Sequence, residues 1–175
     1  GHGDVDIAVF VQNQQALFEH LVGWQLVAHD PHVSGDTSEP WDGRPLALPG
    51  HLHGRLDAGE ALPDGVLTLQ QGFSLDIQLN ARSGDDWILP RQPRISLPLR
   101  NGVQRSPWGL PTVVPEVLLF FKGTAYEGSR NYLRRRDHID FERLLPQLAP
   151  GQKAWLCASI ALTDADHPWL GVLEM

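Results

Sequence analysis

Near the start of the chain, Asp4-Val5-Asp6-Ile7-Ala8-Val9-Phe10 places two carboxylates two positions apart in a run otherwise apolar enough to be a buried β-strand. Side chains alternate along a strand, so Asp4 and Asp6 are expected to share a face, with roughly 6–7 Å between their Cα atoms. Two like charges about 6 Å apart at an effective dielectric of about 20 repel by roughly 3 kcal/mol. A cation between them removes that cost, and hard divalent ions with oxygen ligands, Mg²⁺ above all, answer the description. The competing reading is a strand start whose acids face water.

The residues that follow extend this strand into an α/β or α+β pattern. Ala16, Leu17 and Leu21 recur at helical spacing between Asn13, a cap, and Gly23, a stop. Trp24 to His29 alternates as a second strand, and a strand-helix-strand opening predicts a sheet with the helix on one face. Asp30 to Gly50 is rich in Pro, Gly, Asp and Ser and reads as a long loop. His51 to Leu56, Val66 to Gln70 and Phe73 to Asn80 read as strands. In the last of these, Phe73, Leu75, Ile77 and Leu79 take one face and Ser74, Asp76 and Gln78 the other. A short strand follows from Asp85-Asp86 through Leu89, and Pro90, Pro93 and Pro98 keep Ile95 to Leu99 extended near an edge.

After Pro111 the pattern turns helical. One helix is expected over Thr112 to Phe121 with Pro115 near its first turn. A second is expected from an Asp137 cap through Leu148, shortened by Pro146 and closed by Pro150-Gly151, and a third over Lys153 to Leu162. The reading is an α+β fold: a small mixed β-sheet in a region spanning 1–110 and a group of about three helices in 111–175, in one compact domain.

Composition narrows the functional classes. With 42% hydrophobic and 20% charged residues, the 175-residue chain reads as a soluble globular protein. A net charge of −7 argues against a broad nucleic-acid surface and leaves room for a local basic pocket for a phosphorylated small molecule. The single Cys157 excludes an intrachain disulfide and a multi-cysteine zinc site. No signal-like or membrane-spanning apolar run is visible, which makes the cytoplasm the expected compartment.

Several constellations carry possible chemistry. Asp4, Asp6 and Asp76, if their strands neighbour, would hold two Mg²⁺ ions and leave one carboxylate to activate a hydroxyl; a solvated sheet face is the alternative for Asp76. Arg134-Arg135-Arg136 with Lys122 and Arg130 is either a phosphate clamp or a solvated helix face. Asp137 and Asp140 share a helix face, suited to metal or substrate amines or, more simply, to capping and pairing with the arginines. His51-x-His53 would share a strand face and suits zinc, but the sequence positions no third ligand. The six tryptophans are most simply core or edge aromatics; Trp41 and Trp108, placed in loops, are also candidates to stack on a base or sugar.

Taken in order, Gly3-Asp4-Val5-Asp6-Ile7-Ala8-Val9, the apolar strand around Asp76, Pro115-Glu116-Val117-Leu118-Leu119-Phe120-Phe121-Lys122, Arg136-Asp137-His138-Ile139-Asp140-Phe141-Glu142 and the late Trp155-Leu156 and His167-Pro168-Trp169-Leu170 form a series. It resembles the small bacterial nucleotidyltransferases related to aminoglycoside adenylyltransferases, in the DNA polymerase beta-like superfamily. The resemblance implies a nucleotidyltransferase-type sheet, Asp4 and Asp6 as metal ligands, Asp76 as metal ligand or general base, and Lys122, Arg136 and Asp137 near nucleotide or substrate. It implies transfer of a nucleoside monophosphate from Mg-NTP to a hydroxyl of a small, aminoglycoside-like and cationic substrate. The family also carries, upstream of the D-x-D pair, a Gly-rich helix start that cradles phosphates, whereas this sequence begins at Gly1. Either the sequence is an N-terminally shortened version of such an enzyme or, as the alternative expectation, the protein is a non-catalytic or degenerate binding protein on the same scaffold.

Overall fold

The computed structural model describes residues 4–29, 39–55, 74–125 and 133–174. The chain forms two compact units, 1–82 and 83–175. The expected strand at Val66–Gln70, the first part of the long loop and Arg130 lie outside the described residues. Together the elements make a mixed α+β protein whose sheet pairings are mostly antiparallel.

In the first unit, β1 (Asp4–Phe10) leads through a single 3-10 turn into α1 (Gln14–His20). Gly23, at φ +89°, turns the chain into β2 (Gln25–His29). The short β3 (Glu39–Pro40), β4 (His51–Arg55) and β5 (Ser74–Ser83) follow. Lateral order is β3-β2-β4-β5-β1, antiparallel throughout except that β1 runs parallel to β5. The parity expected for β5 holds, with Ile77 and Leu79 fully buried. Leu26 and Ala28 of β2 and Leu52 of β4 join them, and Ile7, Val9, Leu17, Phe18 and Leu21 pack against that layer.

Trp41 takes the simpler of its two expected roles, that of a core aromatic. It is 4% exposed, sits edge-on to Phe18 at 5.2 Å and donates its indole N–H to the Arg44 carbonyl at 2.8 Å, so it is a core residue rather than a stacking platform. The turn that delivers it needs Gly43: φ is +89°, and a Cβ there would lie 2.8 Å from the Phe18 ring. Gln14 fastens the same loop, accepting the Leu46 N–H at 2.7 Å and donating to the Leu46 carbonyl at 3.3 Å.

The second unit opens with the hairpin of β6 (Asp86–Ile88) and β7 (Ser96–Pro98), the single turn α2 (Leu99–Gly102), and a hairpin of β8 (Val103–Arg105) and β9 (Pro111–Val113). The first expected helix starts later than its periodicity suggested: Thr112 pairs in β9, and α3 (Pro115–Gly123) begins at Pro115, whose missing N–H costs nothing at the first helical position. Arg91 donates to the carbonyls of Phe121 and Thr124 at the far end, satisfying groups that have no partner within the helix.

Helix α4 (Arg135–Leu144) is capped by Arg134, so Asp137 is its third residue rather than its cap. After one 3-10 turn, α5 (Pro150–Thr163) opens on Pro150, which the sequence reading had taken as a stop. The short α6 (Leu170–Leu173) completes the chain. Buried Val117, Leu119 and Phe120 of α3 lie in this core with Leu156 and Ile160 of α5, and buried Glu116 accepts a 2.7 Å hydrogen bond from Gln152. Trp169 stacks on Phe141 at 4.3 Å and 9°, and a Cβ on Gly123 would lie 2.5 Å from its ring. Among the described residues no helix is long and apolar enough to cross a membrane.

Candidate functional site

Because the apolar positions of β1, β4 and β5 all turn to the α1 side, their polar positions share the opposite face. Backbone register then aligns them. Asp6 of β1 stands opposite Asp76 of β5, and Asp76 stands opposite His53 of β4. One row along, Ala8, Gln78, His51 and His29 align across β1, β5, β4 and β2. Asp4 occupies the register position opposite Ser74.

Adjacent strands lie about 4.8 Å apart, so Asp6 and Asp76 are closer in backbone terms than two acids on one strand. Directly opposed like charges destabilise a sheet. The surrounding groups offset that: His51 Nε2 is in hydrogen-bond contact with Asp76 Oδ1. His51, His53 and Asp76 each present a ligand atom within 4.8 Å of the others. His29 adds a third imidazole, its ring centroid 4.3 Å from His53 and 5.9 Å from His51. Asp6 and His53 are exposed while His51 and Asp76 are half-buried, so the cluster is open to solvent but founded on the buried Leu52 and Ile77.

The other residues singled out by sequence lie in the second unit. Lys122 Nζ is 2.8 Å from Asp140 and 3.8 Å from Asp137. Asp137 is buried and accepts from Arg134 Nε at 2.7 Å and Arg134 Nη2 at 3.0 Å. Burial pushes the Asp137 pKa up, but the Arg134 hydrogen bonds and charge, with help from Lys122, outweigh it and hold the carboxyl below its ordinary value. Arg136 is exposed on α4. Trp108 is 85% exposed between β8 and β9, so its ring is available to solvent.

Sequence reasoning grouped Asp4, Asp6 and Asp76 and noted the His51-x-His53 pair, but missed that Asp76 lies close enough to the two histidines to be a third donor. Parity alone contained half of that signal, since His29, His51, His53 and Asp76 all occupy polar positions of alternating strands. Which strand lies beside which was not in it.

Mixed α+β architecture with an acid-and-imidazole face on its sheet is the class that the fold and the site define. Compared with models of known protein families, with curated proteins and with solved structures, the chain matches none.

Proposed function

We propose that this chain is a nucleotidyltransferase-type enzyme that moves a nucleoside monophosphate from Mg-NTP to a hydroxyl of a small, cationic, aminoglycoside-like molecule. The observation that carries the reading is the parallel β1–β5 register, which sets Asp6 of the D-x-D pair directly opposite Asp76. An all-carboxylate oxygen donor set fits Mg²⁺, which Asp4, Asp6 and Asp76 would hold. Bound there, Mg²⁺ would neutralise the triphosphate and the charge that develops on it.

Asp76 would serve as the general base. As the acceptor oxygen bonds to the α-phosphorus, the bond from that phosphorus to the bridging oxygen breaks and pyrophosphate leaves. The hydroxyl proton passes to the Asp76 carboxylate, and His51, hydrogen-bonded to it, is positioned to take the proton onward. A net charge of −7 favours the approach of a cationic acceptor.

Calorimetric titration with ATP and with GTP, each with and without Mg²⁺, tests the reading, alongside pyrophosphate release in the presence of an aminoglycoside acceptor. Binding that requires Mg²⁺ and disappears in Asp6→Asn is the expected result. Binding without pyrophosphate release identifies a non-catalytic nucleotide-binding protein instead, and no Mg²⁺-dependent binding at all removes both.

A further inference from the structure

We propose that His51, His53 and Asp76 form a binding site for one divalent ion of the imidazole-preferring class, zinc being its type member. This goes beyond the magnesium reading, because the donors and the ion they select are different. Magnesium seeks six oxygens in near-ideal octahedral geometry and seldom takes imidazole. Two imidazoles and one carboxylate are instead the donor set of open zinc sites, in which three protein ligands leave a further position for water or substrate.

The geometry supports a single shared ion. The three ligand atoms lie within 4.8 Å of one another. A tetrahedral ion with ligand bonds of about 2.0–2.1 Å separates its donors by roughly 3.4 Å, a spacing inside that limit. The backbone beneath is fixed. Leu52, between the two histidines, and Ile77, next to Asp76, are both 0% exposed in the core on the opposite face. Register does the rest, since the β4–β5 pairing sets Asp76 opposite His53 and within contact of His51.

His29 is the independent fourth feature. It comes from a different strand, and its ring lies against that of His53 at 4.3 Å. Three imidazoles gathered on one sheet face, two from β4 and one from β2, is an arrangement that helix and core packing do not require. The exposure of His53 leaves the ion a path in from solvent. Asp76 belongs to both sites, so occupation by a zinc-class ion competes with its service to Mg²⁺.

Cobalt(II) titration of the whole chain, followed by visible absorption and displaced by zinc, is the test. One equivalent should bind with the intense d–d bands of a low-coordinate site. His51→Ala/His53→Ala should weaken binding by more than the roughly 10–100-fold that loss of a merely supporting residue costs. His53→Cys, at an exposed position, should keep the site and add a thiolate-to-cobalt charge-transfer band. Asp6→Asn should retain the cobalt spectrum even though it abolishes Mg-nucleotide binding, so the two readings fail separately. A wild-type spectrum no different from that of aqueous cobalt, or a double histidine variant that binds as tightly as wild type, overturns the proposal.

Discussion

Asp137 and Asp76 are both carboxylates set within regular secondary structure and backed by apolar layers, yet their surroundings differ in kind. Around Asp137 the charges cancel: Arg134 grips it twice, and Lys122 lies between it and Asp140. Around Asp76 the register gathers groups that can all bind a cation or a proton, with Asp6 on one side, His53 on the other and His51 in contact. Cancelled charges stabilise a fold and offer little to a ligand. Gathered acids and imidazoles do little for the fold and become useful when a cation or a proton arrives. On the proposed reading, the sheet face carries the ligand chemistry and the helical unit gives structural support.

The largest effect should come from removing the aromatic support of the helical unit. Phe141 is 1% exposed beneath the stacked Trp169, and Phe141→Ala should cost about 3–5 kcal/mol in urea unfolding. Under native conditions the same variant should bind cobalt as wild type does. Loss of the metal signal while the chain is still folded would break the division of labour between the two regions.

Exchanging one carboxylate in each region sharpens the comparison. Asp137→Asn removes charge-assisted hydrogen bonds to Arg134 from a buried position and should destabilise the protein by roughly 1.5–3 kcal/mol. Asp6→Asn relieves an opposed like charge and should shift stability by no more than about 0.5 kcal/mol or raise it slightly. The sign of the acid limb follows from the depressed Asp137 pKa. Its contribution is fully present above the unfolded value near 3.9 and is lost as pH falls through the lower folded value, so Asp137→Asn should flatten that part of the stability profile. Equal losses from the two variants would contradict the contrast.

How far the sequence disclosed this arrangement depended on whether a feature was local. Alternation of Leu75, Ile77 and Leu79 fixed the buried face of β5 and with it the outward side of Asp76, because strand parity is a property of consecutive residues. The apolar spacing of Val114, Val117, Leu118 and Phe121 likewise pointed to a helix, but the boundary at Pro115 depended on Thr112 being claimed by a hairpin partner eight residues upstream, Gln104. Trp41 reads as a loop residue in any window of sequence; the Gly43 turn, the Phe18 ring and the sheet's core layer bury it. Asp76 beside His51 and His53 depends on the pairing of β4 with β5, and pairing partners are set by the whole fold rather than by any segment.

The smallest predicted effect concerns a histidine that, unlike His51 and His53, lies on the structural side of the comparison. His167 is 3% exposed, donates from Nε2 to the Gly123 carbonyl at 2.8 Å and accepts the Trp169 backbone N–H at Nδ1, at 3.2 Å. Both ring nitrogens are therefore used in the neutral form, and protonation would turn the Nδ1 acceptor into a donor facing a donor. Burial lowers the pKa, and the Gly123 hydrogen bond and the charge of Asp164 only partly restore it. With the folded value below the ordinary 6.5 or so, the unfolded chain binds the proton more readily. Stability from this group is thus complete above about pH 6.5 and declines as pH falls from there through the folded value. Thermal unfolding of wild type and His167→Gln between neutral and mildly acid pH should show the variant less stable at neutral pH and the gap narrowing on acidification. A gap that widens instead would mean that the charged form is the one the Gly123–Trp169 corner holds, and would overturn the neutral-form assignment of His167.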